Sequence, residues 1–120
     1  MTEFLLGDSS RLEPRDNLWD DLLAYISENI RKPLTLIELA ARIGLSPYYF
    51  IRQFKKNIGY TPHHYVLLSR VSTASHLLKG TALSIKEIAH TCGFSNESNF
   101  SISFKKLMNI SPMAYRESSR

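Results

Sequence analysis

The feature that most constrains the fold is an internal repeat, in which the second half of the chain copies the first. Identical residues recur at a shift of 49 positions and, after a one-residue insertion, at a shift of 50. The first set pairs Leu34, Glu38, Ala40, Gly44 and Ser46 with Leu83, Glu87, Ala89, Gly93 and Ser95. The second set pairs Phe50, Phe54, Lys55, Lys56, Pro62 and Tyr65 with Phe100, Phe104, Lys105, Lys106, Pro112 and Tyr115. Two copies are too few for a solenoid, so the pattern predicts two similar units on one chain.

Apolar residues at helical spacing predict about seven helices, and no stretch alternates as a strand does. A polar linker or tail over residues 1–14 precedes a first amphipathic helix, which is expected over about residues 16–31 and ends near Pro33. Thr61-Pro62 opens a long helix that should run to Lys79-Gly80. The fold class is therefore expected to be all-α.

Each copy carries the signals of two helices joined by a tight turn. The expected N-caps are Thr35, Ser46, Ser84 and Ser95, with Glu38 and Glu87 completing capping boxes at the first and third. Gly44 and Gly93 lie in the turns. Helix, glycine turn, helix is the pattern of a helix-turn-helix motif, whose second helix can enter a DNA major groove. We expect one such subdomain over residues 15–61, a linker helix over 62–80 and a second subdomain over 81–120.

Composition narrows the class of protein. A hydrophobic share of 43% allows a core, and no apolar run approaches the roughly 18 residues that span a bilayer. The single cysteine, Cys92, excludes an intrachain disulfide and a multi-cysteine zinc site. These features predict a soluble cytoplasmic protein with no membrane partner.

Charge is distributed unevenly along the chain. Residues 1–38 carry four basic and eight acidic residues, a net of −4, whereas residues 39–120 carry eleven basic and three acidic residues, a net of +8. A basic segment of this kind favours a polyanionic partner. Solvated lysines on an ordinary surface would give the same distribution.

The outward faces of the second helices are candidates for DNA contact. At about 100° per residue, the inward-facing phenylalanines leave outward Tyr48, Arg52 and Lys55 beside Ile51 in the first copy, and Ser98, Ile102 and Lys105 beside Ser101 in the second. Donor-bearing and small polar residues at the start of a helix suit the reading of base edges. The helices expected to begin after Ser46 and Ser95 have free backbone N–H groups in their first turns, and these groups can bind a DNA phosphate. Tyr48 is equally compatible with an ordinary surface or interface aromatic.

The long helix sets the spacing of the two units. Over residues 62–79 it would measure roughly 27 Å at about 1.5 Å per residue, against about 34 Å between successive major grooves on one face of B-DNA. A monomer could therefore engage two adjacent groove segments. Because the two second helices differ, its site would be asymmetric.

Residues 34–70 and 84–116 resemble the AraC/XylS family of transcription regulators, the second stretch reading SIKEIAHTCGFSNESNFSISFKKLMNISPMAYR. The resemblance implies a seven-helix DNA-binding domain of a promoter-binding regulator, usually an activator that contacts RNA polymerase. Base-reading positions of the family fall on Tyr48, Ile51, Arg52, Glu97, Ser98, Ser101 and Ile102. Phosphate contacts are expected from Ser46, Lys55, Lys56, Ser95, Lys105 and Lys106.

One position departs from the family pattern. Members often carry an arginine where this chain has Ile102, as the first copy does with Arg52. Isoleucine cannot donate to guanine but can touch a thymine methyl, so the second unit is expected to discriminate bases less. Alternatively, the helix rolls slightly and Ile102 packs against its neighbours.

An enzyme and a protein-interaction module are the two other classes of function to which the sequence can be compared. For an enzyme, adjacent His63 and His64 are poorly placed to share a metal, and Cys92 lies at a core position, so no cofactor is expected. Salt-dependent binding to duplex DNA would distinguish a DNA-binding protein from a protein-interaction module, which would not show it. Residues 1–14 are too few for a sensing domain, so the chain is expected to be either a small stand-alone regulator or a fragment of a longer protein, and the composition of this segment favours the fragment.

Overall fold

The computed structural model describes residues 12–118, with side chains from residue 18 onward, and in this range the chain forms seven helices and no strand. The helices are α1 (Leu12–Glu28), α2 (Leu36–Arg42), α3 (Pro47–Ile58), α4 (Pro62–Gly80), α5 (Ile85–Thr91), α6 (Glu97–Met108) and α7 (Pro112–Glu117). The predicted all-α fold, with two helix-turn-helix units joined by a long helix, is confirmed. We call α1–α3 the first unit and α5–α7 the second unit. No helix in the described range is long and apolar enough to cross a membrane.

The first helix differs from its predicted bounds. It begins at Leu12 and ends at Glu28, where the sequence suggested about residues 16–31. The last residues of the predicted linker are thus helical, and the rest of it, residues 1–11, lies outside the described residues. Pro14 signalled a linker, but in the first turn of a helix a proline loses no intrahelical hydrogen bond.

Two hydrophobic cores lie on either side of α4. The first core consists of Leu22, Ile26, Leu39, Ala40, Phe50, Phe54 and Val66. The second core consists of Ile30, Val71, Ala74, Leu78, Ile88, Ala89, Cys92, Phe100 and Phe104. Because α4 contributes Val66 to the first core and Val71, Ala74 and Leu78 to the second, its N-terminal part is fixed to the first unit and its C-terminal part to the second. Ile30, which follows α1, is buried in the second core and so ties the first unit to the second.

The repeat extends to the aromatic packing of the cores. The Phe50–Phe54 ring centroids are 5.5 Å apart at 63°, and those of Phe100–Phe104 are 5.7 Å apart at 65°. Phe54 meets Tyr65 edge to face at 5.7 Å, and Phe104 meets Tyr115 in the same way at 5.5 Å. Trp19 adds to the first core by packing on Phe54 at 5.9 Å. The inward faces of α3 and α6 are therefore fixed by equivalent contacts.

The turn of the second unit lies directly against the first unit. A Cβ atom at Gly93 would lie 2.0 Å from the carbonyl oxygen of Ile30, so only glycine fits there. Beside it, Arg70 of α4 donates from Nε to the Ile30 carbonyl at 3.0 Å and from Nη2 to the Lys32 carbonyl at 3.1 Å. These contacts fix the second turn to the loop between α1 and α2.

The two predicted capping boxes differ in the structure. Ser84 and Glu87 form the complete reciprocal pair, with Glu87 N–H donating to Ser84 Oγ at 3.0 Å and Ser84 N–H to Glu87 Oε1 at 2.8 Å. Thr35 Oγ1 accepts from Glu38 N–H at 3.1 Å, but the carboxylate of Glu38 instead accepts from the Tyr25 hydroxyl. The box predicted at Thr35 is therefore wrong in its second half, because a tertiary partner from α1 competes for the carboxylate.

Candidate nucleic-acid interface

Helix α3 begins with a sequence that fixes its start. The Ser46 hydroxyl accepts from Tyr49 N–H at 3.4 Å, and Pro47 occupies the first turn, where its missing N–H has no intrahelical partner to lose. Phe50 and Phe54 are fully buried on the inner face. Since these two side chains set the rotation of the helix, the opposite face is turned to solvent.

The solvent face of α3 carries the residues predicted to read bases. Tyr48 is 72% exposed, Arg52 is exposed, and Ile51 lies at the side of this face at 36% exposure. The Arg52 guanidinium carbon lies 5.9 Å from the centroid of the Tyr48 ring. Tyr48 and Arg52 therefore lie together one helical turn apart, with the donors of Arg52 facing solvent.

Helix α6 starts one residue later than predicted. Asn96 is its N-cap, since its Oδ1 accepts from Asn99 N–H at 2.8 Å, and Ser95 lies outside the helix. The expectation that Ser95 caps this helix is wrong because the turn here is longer by one residue, with residues 92–96 between helices where the first unit has residues 43–46. Ser95 Oγ instead accepts from Asn99 Nδ2 at 2.5 Å and remains exposed.

Asn96 and Asn99 are the polar residues that the sequence analysis missed. Once the shift of 50 is applied at this point, Ser46 pairs with Asn96 and not with Ser95, so the repeat contained the signal. Asparagine is as good an N-cap as serine. Asn99, exposed in the first turn of α6, also bears an amide of the kind that pairs with adenine.

The solvent face of α6 differs in chemistry from that of α3. Glu97 and Ser98 are exposed, Ser101 is half-buried, and Ile102 is 67% exposed. The alternative in which Ile102 packs against its neighbours is therefore wrong for this structure. At the position where α3 has Arg52, the second unit therefore presents an exposed apolar side chain in place of a cationic one.

Basic residues lie at the C-terminal ends of both α3 and α6. The exposed lysines are Lys55 and Lys56 at the end of α3, and Lys105 and Lys106 at the end of α6. Within the side chains described, the one salt bridge joins Lys32 and Glu38 at 3.7 Å, so these four lysines have no carboxylate partner in that range. Their charges also complement the C-terminal ends of the helix dipoles, which is a structural role they share with any last-turn lysine.

Cys92 is a core residue, as predicted from its position. Its side chain is fully buried in the second core, and burial raises the pKa of the thiol to about 11. At neutral pH the group is a neutral thiol and packs as a small apolar side chain.

Comparison with known proteins gives the class of this fold. A family model described as a helix-turn-helix domain matches residues 39–118. The HTH-type transcriptional activator RhaR of Klebsiella pneumoniae is 32% identical over 113 residues, which are 94% of this chain and 40% of that protein. The chain thus spans well under half the length of this curated relative.

Solved structures agree over nearly the whole described range. The DNA-binding domain of the global transcriptional factor AdpA, in complex with a target DNA, has a TM-score of 0.82 at 29% identity, covering 86% of this chain and 93% of that one. An AraC-type regulator from Chromobacterium violaceum has a TM-score of 0.77 at 30% identity, covering 92% of this chain and 100% of that one. These similarities define an all-helical DNA-binding domain with two helix-turn-helix motifs. The chain belongs to the AraC family of transcription regulators.

Proposed function

We propose that the chain binds double-stranded promoter DNA sequence-specifically and inserts α3 and α6 into two adjacent major-groove segments. The observation that carries the proposal is the pair of solvent faces on α3 and α6. They are set by equivalent buried phenylalanines and fixed to opposite ends of the 19-residue helix α4. At about 1.5 Å per residue α4 is roughly 28 Å long, close to the spacing of successive grooves. The likeness to AdpA, which was solved on its target DNA, supports the same mode of binding.

The two units contribute differently to base reading in this proposal. In the first unit Tyr48, Ile51 and Arg52 meet base edges, and Arg52 donates to a guanine. In the second unit Glu97, Ser98, Ser101 and Ile102 face the bases, and Ile102 contacts a thymine methyl. The phosphate contacts come from Ser46, Ser95 and the lysines Lys55, Lys56, Lys105 and Lys106.

The domain acts as a monomer and as part of an activator. Two non-identical recognition helices on one chain match an asymmetric site, so a second copy is not required for two groove contacts. RhaR is named as a transcriptional activator, which supports the same role here. We propose that the domain performs this role through a contact with RNA polymerase.

Selection of bound sites from random duplex DNA tests this function. The expected product is a non-palindromic site with two conserved blocks about one helical turn, roughly 10 base pairs, apart. Affinity for that site should fall steeply between 50 and 200 mM salt, since each phosphate contact contributes about 0.9 to the slope of log affinity against log salt. A single block, a palindrome or binding without salt dependence would contradict the proposal.

Transcription in vitro separates activation from repression. A template carrying the selected site upstream of a weak promoter, with purified bacterial RNA polymerase, should yield more transcript when the chain is added. The control template carries a scrambled site. Less transcript from the selected template would show repression, and no change would contradict a direct contact with polymerase by this domain alone.

A further inference from the structure

A cleft of about 530 Å³ lies between the two units. Its floor is α4, its first wall includes Leu36 of α2, and its second wall is formed by the turn that contains Phe94. Apart from Ser95, none of the residues proposed to contact DNA lines it. The volume is within the range of roughly 300–1,000 Å³ that is typical of small-molecule sites.

The lining of the cleft combines apolar side chains with basic ones. Leu36, Val66, Leu67 and Phe94 provide the apolar surface. The ionisable residues are Arg31, His63, Arg70 and His90, and no aspartate or glutamate is among the lining residues. An apolar pocket with a few convergent polar groups of one charge is suited to an organic anion.

Arg70 carries a charge that the described residues do not neutralise. Its two hydrogen bonds go to the neutral carbonyls of Ile30 and Lys32. No carboxylate lies within salt-bridge distance in the described range, and burial lowers the pKa of the guanidinium. A guanidinium offers five N–H donors, so donors remain for an anion that enters the cleft.

We propose that this cleft binds a small organic anion, a carboxylate on a compact apolar ring or chain. The carboxylate meets Arg31 and the free donors of Arg70, and the apolar body packs on Leu36, Leu67 and Phe94. Because the ligand contacts α2, α4 and the second turn together, it stabilises one relative placement of the two units.

Binding is tested on the full 120-residue chain without DNA. The probe is 1-naphthoate, followed by backbone amide shifts in NMR, with uncharged 1-naphthalenemethanol as the matched ligand. We expect saturable shifts around Leu67 and Phe94 with naphthoate, and binding of the alcohol weaker by about tenfold, the loss of one charge-assisted hydrogen bond. Absence of saturable shifts at the cleft, or equal affinity for the two compounds, overturns the proposal.

Variants separate the cleft from a DNA-backbone contact. Arg31 is exposed, so Arg31→Ala should fold, and it should weaken naphthoate binding about tenfold. Arg31→Lys retains the positive charge that attracts the carboxylate and should keep most of the affinity. Lys86→Ala, an exposed change outside the cleft, is the control and should leave binding unchanged. If Arg31→Ala leaves naphthoate binding intact but weakens DNA binding with a smaller salt slope, the cleft faces a DNA phosphate and the proposal is wrong.

The effect on DNA is a separate measurement that rests on the proposed function. Naphthoate at saturation should change affinity for the selected DNA site by the same factor by which that DNA changes affinity for naphthoate. Failure of naphthoate to bind leaves site selection unaffected. Failure of site selection leaves the DNA-free titration valid, so the two proposals fail independently.

Discussion

The two helix-turn-helix units have separate cores with equivalent aromatic packing, and they differ in their turns and in the solvent faces of α3 and α6. The first turn leaves open space around Gly44, whereas the second turn presses Gly93 against the Ile30 carbonyl of the other unit. The face of α3 presents Tyr48 and Arg52, whereas the corresponding face of α6 presents an exposed Ile102. The buried phenylalanines determine which face of each helix is turned to solvent, but they do not determine which residues occupy that face. The buried phenylalanines are thus the same in the two units, whereas the surroundings of the turn and the residues of the solvent face differ.

The largest expected effect comes from the two turn glycines. Both have positive φ, +71° at Gly44 and +88° at Gly93, so alanine at either site costs about 1–2 kcal/mol of backbone strain. Gly93→Ala also drives a Cβ into the Ile30 carbonyl, which adds about 1–3 kcal/mol of overpacking. Urea unfolding should therefore show a total loss of about 2–5 kcal/mol for Gly93→Ala. Gly44→Ala is the matched control, and equal losses at the two sites would refute the close docking of the second turn.

The two arginines that bind backbone carbonyls offer the next comparison. Arg116 of α7 donates to the carbonyls of Leu78, Thr81 and Leu83 at 3.0, 3.3 and 2.7 Å, whereas Arg70 of α4 reaches two carbonyls. Arg116→Met should lower the free energy of unfolding by about 2–3 kcal/mol, because charged donors are lost and carbonyls are left unpaired. Arg70→Met should lower the free energy of unfolding by less, because Arg70 donates to two carbonyls and not to three. The reverse order in urea unfolding would mean that the contact of α4 with the loop between α1 and α2 contributes more to stability than the contacts of α7 with the end of α4 and the loop that follows it.

The unequal faces predict unequal losses of specific DNA binding. Arg52→Ala should weaken binding to the selected site by about 1–3 kcal/mol through the lost guanine contact. Ile102→Ala removes only a methyl contact and should cost less than about 1 kcal/mol. Competition against random DNA is the measurement. If Arg52→Ala weakens specific and random DNA equally, Arg52 contacts phosphate and not a base.

Ile102→Arg tests the second face from the other direction. It restores a donor where α3 already has Arg52, so selected sites should acquire a preferred guanine in the second block. Ile102→Met, which keeps an apolar side chain of similar size, is the control and should leave the preference unchanged. An Ile102→Arg protein with the original preference would show that this position does not face the groove.

The sequence predicted the helices and the buried faces because those depend on local signals and on the 3.6-residue period. Phe50, Phe54, Phe100 and Phe104 are all buried as expected. The prediction from sequence was wrong where a tertiary partner competes for a capping side chain. At Glu38 the carboxylate accepts from the Tyr25 hydroxyl of α1 and does not cap its own helix. The prediction also misplaced the cap of α6, where Ser95 and Asn96 are both good caps and only the turn length decides.

The cleft between the units could not be predicted from sequence at all. Arg31, Arg70 and His90 come from three separate segments, and nothing local relates them. Their proximity follows from the insertion of Ile30 into the second core and from the contact of Gly93 with the Ile30 carbonyl. In the sequence, this long-range contact is represented only by Ile30 and Gly93, and neither residue by itself indicates its partner.

The smallest predicted effect concerns the capping box that only the second unit completes. Hydrogen bonds from Ser84 hold the pKa of Glu87 below its usual value, so the carboxylate is stabilised in the folded state. A lowered folded pKa means that this stability is present at neutral pH and is lost as the pH falls through that pKa. Glu87→Gln should therefore lower Tm slightly at pH 7, and the difference from the parent protein should shrink and vanish as the pH falls through the lowered pKa of Glu87. A difference that persists unchanged into acid would show that the ionised carboxylate of Glu87 contributes nothing to the cap.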